Sequence, residues 1–194
     1  MSEVLEKIAF MHSNNLIEKA IHGDQRAYDK LVGLWYKKIY NFSLKYFANH
    51  DLAMEATQQT FIVAYKGIQK LRDVESFRFW LYKIALNHCR DEDRRNKRRK
   101  WFSIHGLEET KNFSSIIGNP EIEIQKKEKS ELIAGYITML PAEQKEVILM
   151  KEFEGMKFRE MAEALDTSEN TVKSRLYYGL NALRKLMKNS EMKY

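Results

Sequence analysis

Residues 157–186, KFREMAEALDTSENTVKSRLYYGLNALRKL, hold two short amphipathic patterns that meet at a compact polar break, and that arrangement leaves few folds open. Phe158, Met161, Ala162 and Leu165 recur at helical spacing in the first pattern, and Val172, Leu176, Gly179, Leu180, Leu183 and Leu186 in the second. Asp166, Thr167 and Ser168 lie between them. Aspartate tolerates the left-handed backbone of a tight turn, and a serine hydroxyl accepts a hydrogen bond from the first free amides of the next helix. The segment therefore predicts a helix-turn-helix.

At about 100° per residue, the face of the second helix opposite Val172 and Leu176 carries Asn170, Ser174, Tyr177, Tyr178 and Asn181. Lys173 and Arg175 flank it. Amide, hydroxyl and cationic groups of this kind meet base edges and phosphates in a DNA groove. Read alone, the segment also fits a plain helical hairpin with a solvated polar face.

Composition narrows the choice. The chain has 194 residues, 44% of them hydrophobic, enough for one domain or two small ones, and only two prolines and eight glycines, which permits long helices. A net charge of +6 fits a polyanionic partner. The single cysteine, Cys89, excludes an internal disulfide framework, and without a CxxC pair there is no signature of structural zinc, so a reducing cytoplasm is expected. His88 adjoins it, but adjacent residues diverge on a helix and His12, His22, His50 and His105 are scattered, so an ordinary histidine beside a partly buried thiol is expected. No signal-peptide pattern and no run of about 18 apolar residues occurs, so no membrane insertion is expected. Glycine-rich phosphate loops, HExxH, GxSxG and carboxylate pairs at metal-ligand spacing are also missing. No catalysis, cofactor or metal is expected.

The chain divides into three zones. Residues 14–97 show helical periodicity over 15–22, 25–47, 52–67 and 77–96, with Asp24, Asp51 and Ser76 as candidate N-caps. Residues 98–120 lose it and gather Gly106, Ser114, Ser115, Gly118, Asn119 and Pro120, which reads as a linker. Residues 121–188 then hold a charged helix over 121–139, another that opens at Leu140-Pro141 and stops at Gly155, and the helix-turn-helix. The expected fold is all-α, two small helical domains on a flexible tether that permits open and packed arrangements alike.

Two further surfaces stand out. In the helix over 77–96, Phe77, Leu81, Ile84, Ala85 and His88 form one stripe, while Lys83, Asn87, Arg90 and Arg94 form a basic and amide ridge prolonged by the run RRNKRRK at 94–100. Such a ridge can track a phosphate backbone, or simply be a solvated face. The preceding KLRDVESFRFW at 70–80 alternates aromatic residues with Arg72 and Arg78; aromatic faces stack on unpaired bases at about 1–3 kcal/mol each. Alternatively Phe77, Phe79 and Trp80 are core, the favoured reading for Phe77. In the helix over 52–67, Glu55, Gln58, Gln59 and Lys66 surround Ile62, a composition suited to docking a protein.

Taken in order, these motifs resemble the sigma-70 family of bacterial RNA polymerase sigma factors, in its short extracytoplasmic-function group that keeps only regions two and four. GDQRAY at 23–28 resembles a GDxxAF opening, QQTF at 58–61 resembles QETF, and SFRFWLYKIALN at 76–87 resembles the FxxWLxxIAxN block. DEDRR at 91–95 resembles its DxxRR end, and Leu140-Pro141 with TVKSRL at 171–176 resembles the LP…TVKSRL of region four.

The resemblance implies that Asn170, Thr171, Lys173, Ser174, Arg175 and Tyr177 read the -35 promoter element. It implies that Lys70, Arg72, Asp73, Ser76, Arg78, Lys83, Asn87, Arg90 and Arg94 recognise and help melt the -10 element. It further implies that Glu55, Gln58, Gln59 and Ile62 dock on the clamp helices of the largest subunit of core RNA polymerase, with region four on the flap and the linker near the RNA exit path. Promoter DNA and core polymerase are thus the implied partners, with room for an anti-sigma factor. The chain departs from the family's AEDLVQE at Met54 and Gln59, and from its frequent glycines at Asp166 and Asn170, so polymerase affinity and promoter preference are expected to differ. The competing readings are a stand-alone helix-turn-helix regulator, which needs no polymerase-facing helix, and a basic nucleic-acid enzyme, which needs metal-binding carboxylates.

Overall fold

The computed structural model describes residues 13–103 and 132–191, and every regular element in them is helical. Residues 13–21 form α1. Gly23, at φ +93°, turns the chain, and the Asp24 carboxylate accepts from the Ala27 amide at 3.1 Å to open α2, Gln25–Phe47. Asn49 rather than Asp51 caps α3, His50–Gly67, accepting from the Leu52 amide at 2.9 Å. Asp51 sits instead in the first turn, where its charge complements the helix dipole.

After a 3-10 turn at Ile68–Lys70, the loop folds on Asp73, whose carboxylate takes the Ser76 amide at 2.7 Å while the Ser76 hydroxyl donates back to the Asp73 carbonyl. Ser76 therefore caps α4 through its carbonyl, which accepts from the Trp80 amide, and not through its side chain as expected. Helix α4 runs Phe77–Ser103, seven residues beyond the expected end at Asn96. The added stretch KRRKWFS contains no glycine or proline to stop it. Of the expected linker, residues 104–120 lie outside the described residues.

Of the charged helix expected over 121–139, the part before 132 lies outside the described residues, and 132–138 forms α5. Helix α6, Ala142–Ile148, starts after Pro141 and passes into a π turn at Leu149–Phe153 that Gly155 closes at φ +61°. Helix α7, Phe158–Leu165, and helix α8, Glu169–Glu191, form the predicted helix-turn-helix. Asp166 takes the left-handed conformation at φ 54°, and the Ser168 hydroxyl accepts from the Thr171 amide at 3.1 Å.

Leu31, Ile39, Phe42 and Tyr46 of α2 meet Ala56, Phe61 and Ala64 of α3 and Phe77, Leu81, Tyr82, Ala85 and Cys89 of α4, all buried. Phe42 and Tyr82 meet edge to face at 5.1 Å, as do Trp35 and Phe77 at 5.6 Å, an arrangement favoured by the ring quadrupoles. Each such side chain contributes about 1.5–3 kcal/mol by leaving water. Val147, Ile148, Leu149, Met150, Met161, Leu165 and Val172 fill the second half. Leu180, expected in the buried stripe of α8, is 38% exposed, since it lies at that stripe's edge.

The two halves are packed together. Helix α4 lies against α7 and α2 against the π turn, so of the two arrangements a tether allows, this is the closed one.

Candidate nucleic-acid and polymerase interface

Helix α8 presents the face its periodicity implies. Asn170, Lys173 and Ser174 are exposed, and Tyr177 and Tyr178, 66% and 62% exposed, meet edge to face at 5.7 Å. Two of the expected residues are partly engaged. Thr171 is half-buried with its hydroxyl 2.9 Å from that of Ser168, and Arg175 of α8 lies 3.1 Å from Glu143 of α6. Lys173 has only a 3.9 Å contact with Glu169 and a position 5.5 Å over the Phe158 ring, so its ammonium stays at the surface.

The α4 ridge is divided. Asn87 and Arg94 are exposed and Lys83 is half-buried; before the helix, Lys70, Arg72 and Asp73 are exposed. Arg94 has only a 3.3 Å contact with Asp91, one turn away, which is worth little in water. Arg78 and Arg90 instead face the second half. Arg78 donates to the backbone carbonyl of Glu154, and the Tyr82 hydroxyl donates to the Glu154 carboxylate. The Arg90 guanidinium grips the Glu146 carboxylate with two parallel bonds of 2.6 Å, and Glu146 is fully buried. This bonding holds the Arg90 pKa above its usual value despite burial.

Beside that pair lies a second polar knot. The Lys145 side chain, 5% exposed, places its ammonium 3.4 Å from the Asp93 carboxylate and from the Tyr46 carbonyl, and 3.9 Å over the Tyr46 ring. The Tyr46 hydroxyl donates to the same Asp93 oxygen at 3.1 Å, and burial, reinforced by Asp93, pushes its pKa up. Sequence reasoning missed Lys145, Glu146 and Glu154. The available signal was a Lys-Glu pair entering the apolar run VILM with no solvent face of its own.

On α3, Glu55, Gln58, Gln59 and Ile62 are all exposed, Ile62 by 48%. Met54, Val63 and Tyr65 are exposed on the same helix, so the apolar surface is wider than Ile62 alone suggested. His88 is half-buried in the adjoining cleft between α3 and α4, where burial lowers its pKa. Among the described residues no three His, Cys, Asp or Glu side chains are grouped to hold a metal ion, and no helix is long and apolar enough to cross a membrane.

An all-α chain with a helical bundle ahead of a helix-turn-helix is the architecture of a two-region transcription initiation factor. The sequence matches the Sigma-70 region 2 family over residues 31–99 and the Sigma-70, region 4 family over residues 130–183, and the chain belongs to the sigma-70 family of RNA polymerase sigma factors. Within that family it falls in the extracytoplasmic-function (ECF) group. It is 28% identical over 167 residues to the ECF RNA polymerase sigma-E factor of Haemophilus influenzae, which covers 84% of this chain and 88% of the relative. It is 29% identical over 173 residues to that of Escherichia coli, covering 87% and 90%. Two solved structures share the fold: CnrH in complex with the cytosolic domain of CnrY, at TM-score 0.66 and 21% identity, covering 92% of this chain and 98% of that one; and RpoE of Bartonella quintana with the anti-sigma factor NepR, at 0.65 and 20%, covering 82% and 96%.

Proposed function

We propose that this sigma factor divides promoter reading between its two halves, residues 14–97 acting on the -10 element and residues 121–188 on the -35 element, with residues 98–120 as the tether. The observation that carries the reading is the exposed face of α8, where Asn170, Lys173, Ser174 and Tyr177 stand together on the second helix of a helix-turn-helix. Amide and hydroxyl groups there read base edges in the major groove, Lys173 and Arg175 hold phosphates, and Thr171 stays at the helix start to fix the register.

On the first half, Lys70, Arg72, Asp73 and Ser76 form the loop that meets the -10 element, and Lys83, Asn87 and Arg94 follow the backbone along α4. Arg78 and Arg90 join them once the halves part, a phosphate taking the place now held by the Glu154 carbonyl and the Glu146 carboxylate. Glu55, Gln58, Gln59 and Ile62 dock on the clamp helices of the largest polymerase subunit, and the second half docks on the flap. The protein performs no covalent reaction and works in the cytoplasm beside the polymerase. An anti-sigma factor, of the sort bound to the Bartonella quintana RpoE, is a further partner in this reading.

Run-off transcription with reconstituted core polymerase tests the assignment. Lys173→Ala with Arg175→Ala is expected to weaken engagement of the -35 element, and Asn87→Ala with Arg94→Ala to slow promoter opening. Normal initiation with all four replaced overturns the assignment. Tight, sequence-specific duplex binding by the isolated chain, with no stimulation of core polymerase, would instead identify a stand-alone regulator.

A further inference from the structure

The seam between the halves contains a cleft that neither promoter element explains. Lys38, Asn41 and Lys45 of α2 follow one another at steps of three and four, hence on one helix face, and line it from one side. Arg78 and Tyr82 of α4 line it from another, Trp35 forms part of its wall, and Phe153 and Glu154 at the end of the π turn close it. Its volume, about 380 Å³, lies within the range of roughly 300–1,000 Å³ usual for small-molecule sites.

Its charges are not balanced. Lys38 and Lys45 have no carboxylate in salt-bridge reach among the described residues; their ammonium groups rest 4.5 Å over the Trp35 ring and 5.0 Å over the Phe153 ring. Arg78 meets a carbonyl and no carboxylate, and the Glu154 carboxylate, the one acid in the lining, already accepts from Tyr82. Three cations thus line a concave, partly apolar site against the single Glu154 carboxylate, and this excess of positive charge raises the local potential and favours an anionic occupant.

We propose that this cleft binds a small phosphate-bearing polyanion of the nucleoside polyphosphate class. A guanidinium and two lysine ammonium groups match the many oxygens of a polyphosphate better than a single carboxylate. Phe153 adds an aromatic wall already covered by the Lys45 ammonium, and the Asn41 amide offers both a donor and an acceptor to a bound ligand. Residues of both halves build the site, so it exists only in the closed arrangement, and its ligand stabilises that arrangement by mass action. Arg78 is shared with the -10 set, but Lys38 and Lys45 belong to neither DNA-reading set, and they separate this inference from the assignment of promoter elements.

Isothermal titration of the full-length chain at low ionic strength, without magnesium, tests it with ATP, tripolyphosphate, inorganic phosphate and a short single-stranded oligonucleotide. Saturable one-site binding is expected, tightest for ATP, weaker for tripolyphosphate and weakest for phosphate. Lys38→Ala with Lys45→Ala, both on the surface of α2, should weaken ATP at least about tenfold, a loss of about 1.4 kcal/mol, while Lys173→Ala with Arg175→Ala leaves it within about twofold. Three results overturn the proposal: no saturable binding of ATP or tripolyphosphate, equal losses in the two double variants, or tighter binding of the oligonucleotide through the same two lysines. The last would make the cleft a nucleic-acid surface.

Discussion

Glu146 has lost its hydration entirely, and the paired bonds from Arg90 compensate it. Ion pairs of this type add little net stability, yet removing one partner costs about 3–5 kcal/mol because a bare charge stays behind. In Arg90→Ala the stranded carboxylate regains water by separating the halves, so small-angle scattering is expected to show a larger radius of gyration. Arg90→Met with Glu146→Met should remain compact, and a double-mutant cycle on unfolding should give a coupling of about 1–3 kcal/mol. His88 supplies a pH dependence. Burial holds its folded pKa below the ordinary 6.5, with Asp91 opposing the shift and Arg95 adding to it. The unfolded chain then binds the proton more tightly, so the histidine's contribution is intact above about pH 6.5 and is lost as the pH falls through the lower folded pKa. Thermal melts between about pH 7.5 and about pH 5.5 should show a falling Tm, with a shallower fall in His88→Gln. At this scale the sequence revealed chemistry but not pairing. Arg90 was legible as a member of a basic ridge, whereas its partner lies 56 residues away and leaves no periodic trace.

Helix α8 depends on a close approach to α6 at Gly179. A Cβ there would lie 3.0 Å from the Ile148 Cδ1 and 3.1 Å from the Gln144 Cβ. Alanine is the better helix former by about 1 kcal/mol, but overpacking of this kind costs about 1–3 kcal/mol, and the clash prevails. Gly179→Ala is expected to lower the Tm and to weaken -35 recognition by tilting the reading face, measurable by melting and by promoter-binding assays. Elements with local punctuation were legible: Asp24 opens α2 at the expected residue, and Asp166 and Ser168 break the helix-turn-helix where they should. Two features were not. Helix α4 continues through a basic run that resembles a linker in composition, since charge alone stops no helix. The π turn at Leu149–Phe153 is the other, since its sequence LMKEF carries no mark of it.

For the whole molecule, the sequence defined two helical groups and left their arrangement open. The closed form rests on a few contacts between distant residues, among them Arg78 with Glu154, Tyr82 with Glu154, Arg90 with Glu146 and Lys145 with Asp93. Each is individually invisible to periodicity. All four join α4 to the second half, and two of them occupy its cations Arg78 and Arg90, so exposure of the full ridge and separation of the halves are one event. Cys89, the chain's single thiol, is fully buried beside Ser43, Lys145, Asp93 and Glu146. Burial also pushes its pKa up, so neither access nor thiolate is available while the halves stay together. Reaction with a thiol-disulfide reagent should therefore be slow in the native protein, at least about tenfold faster in Arg90→Ala, and limited by the frequency of opening. One sulfur atom becomes a stopwatch for the hinge, keeping time without a dye on either of the faces proposed to read DNA.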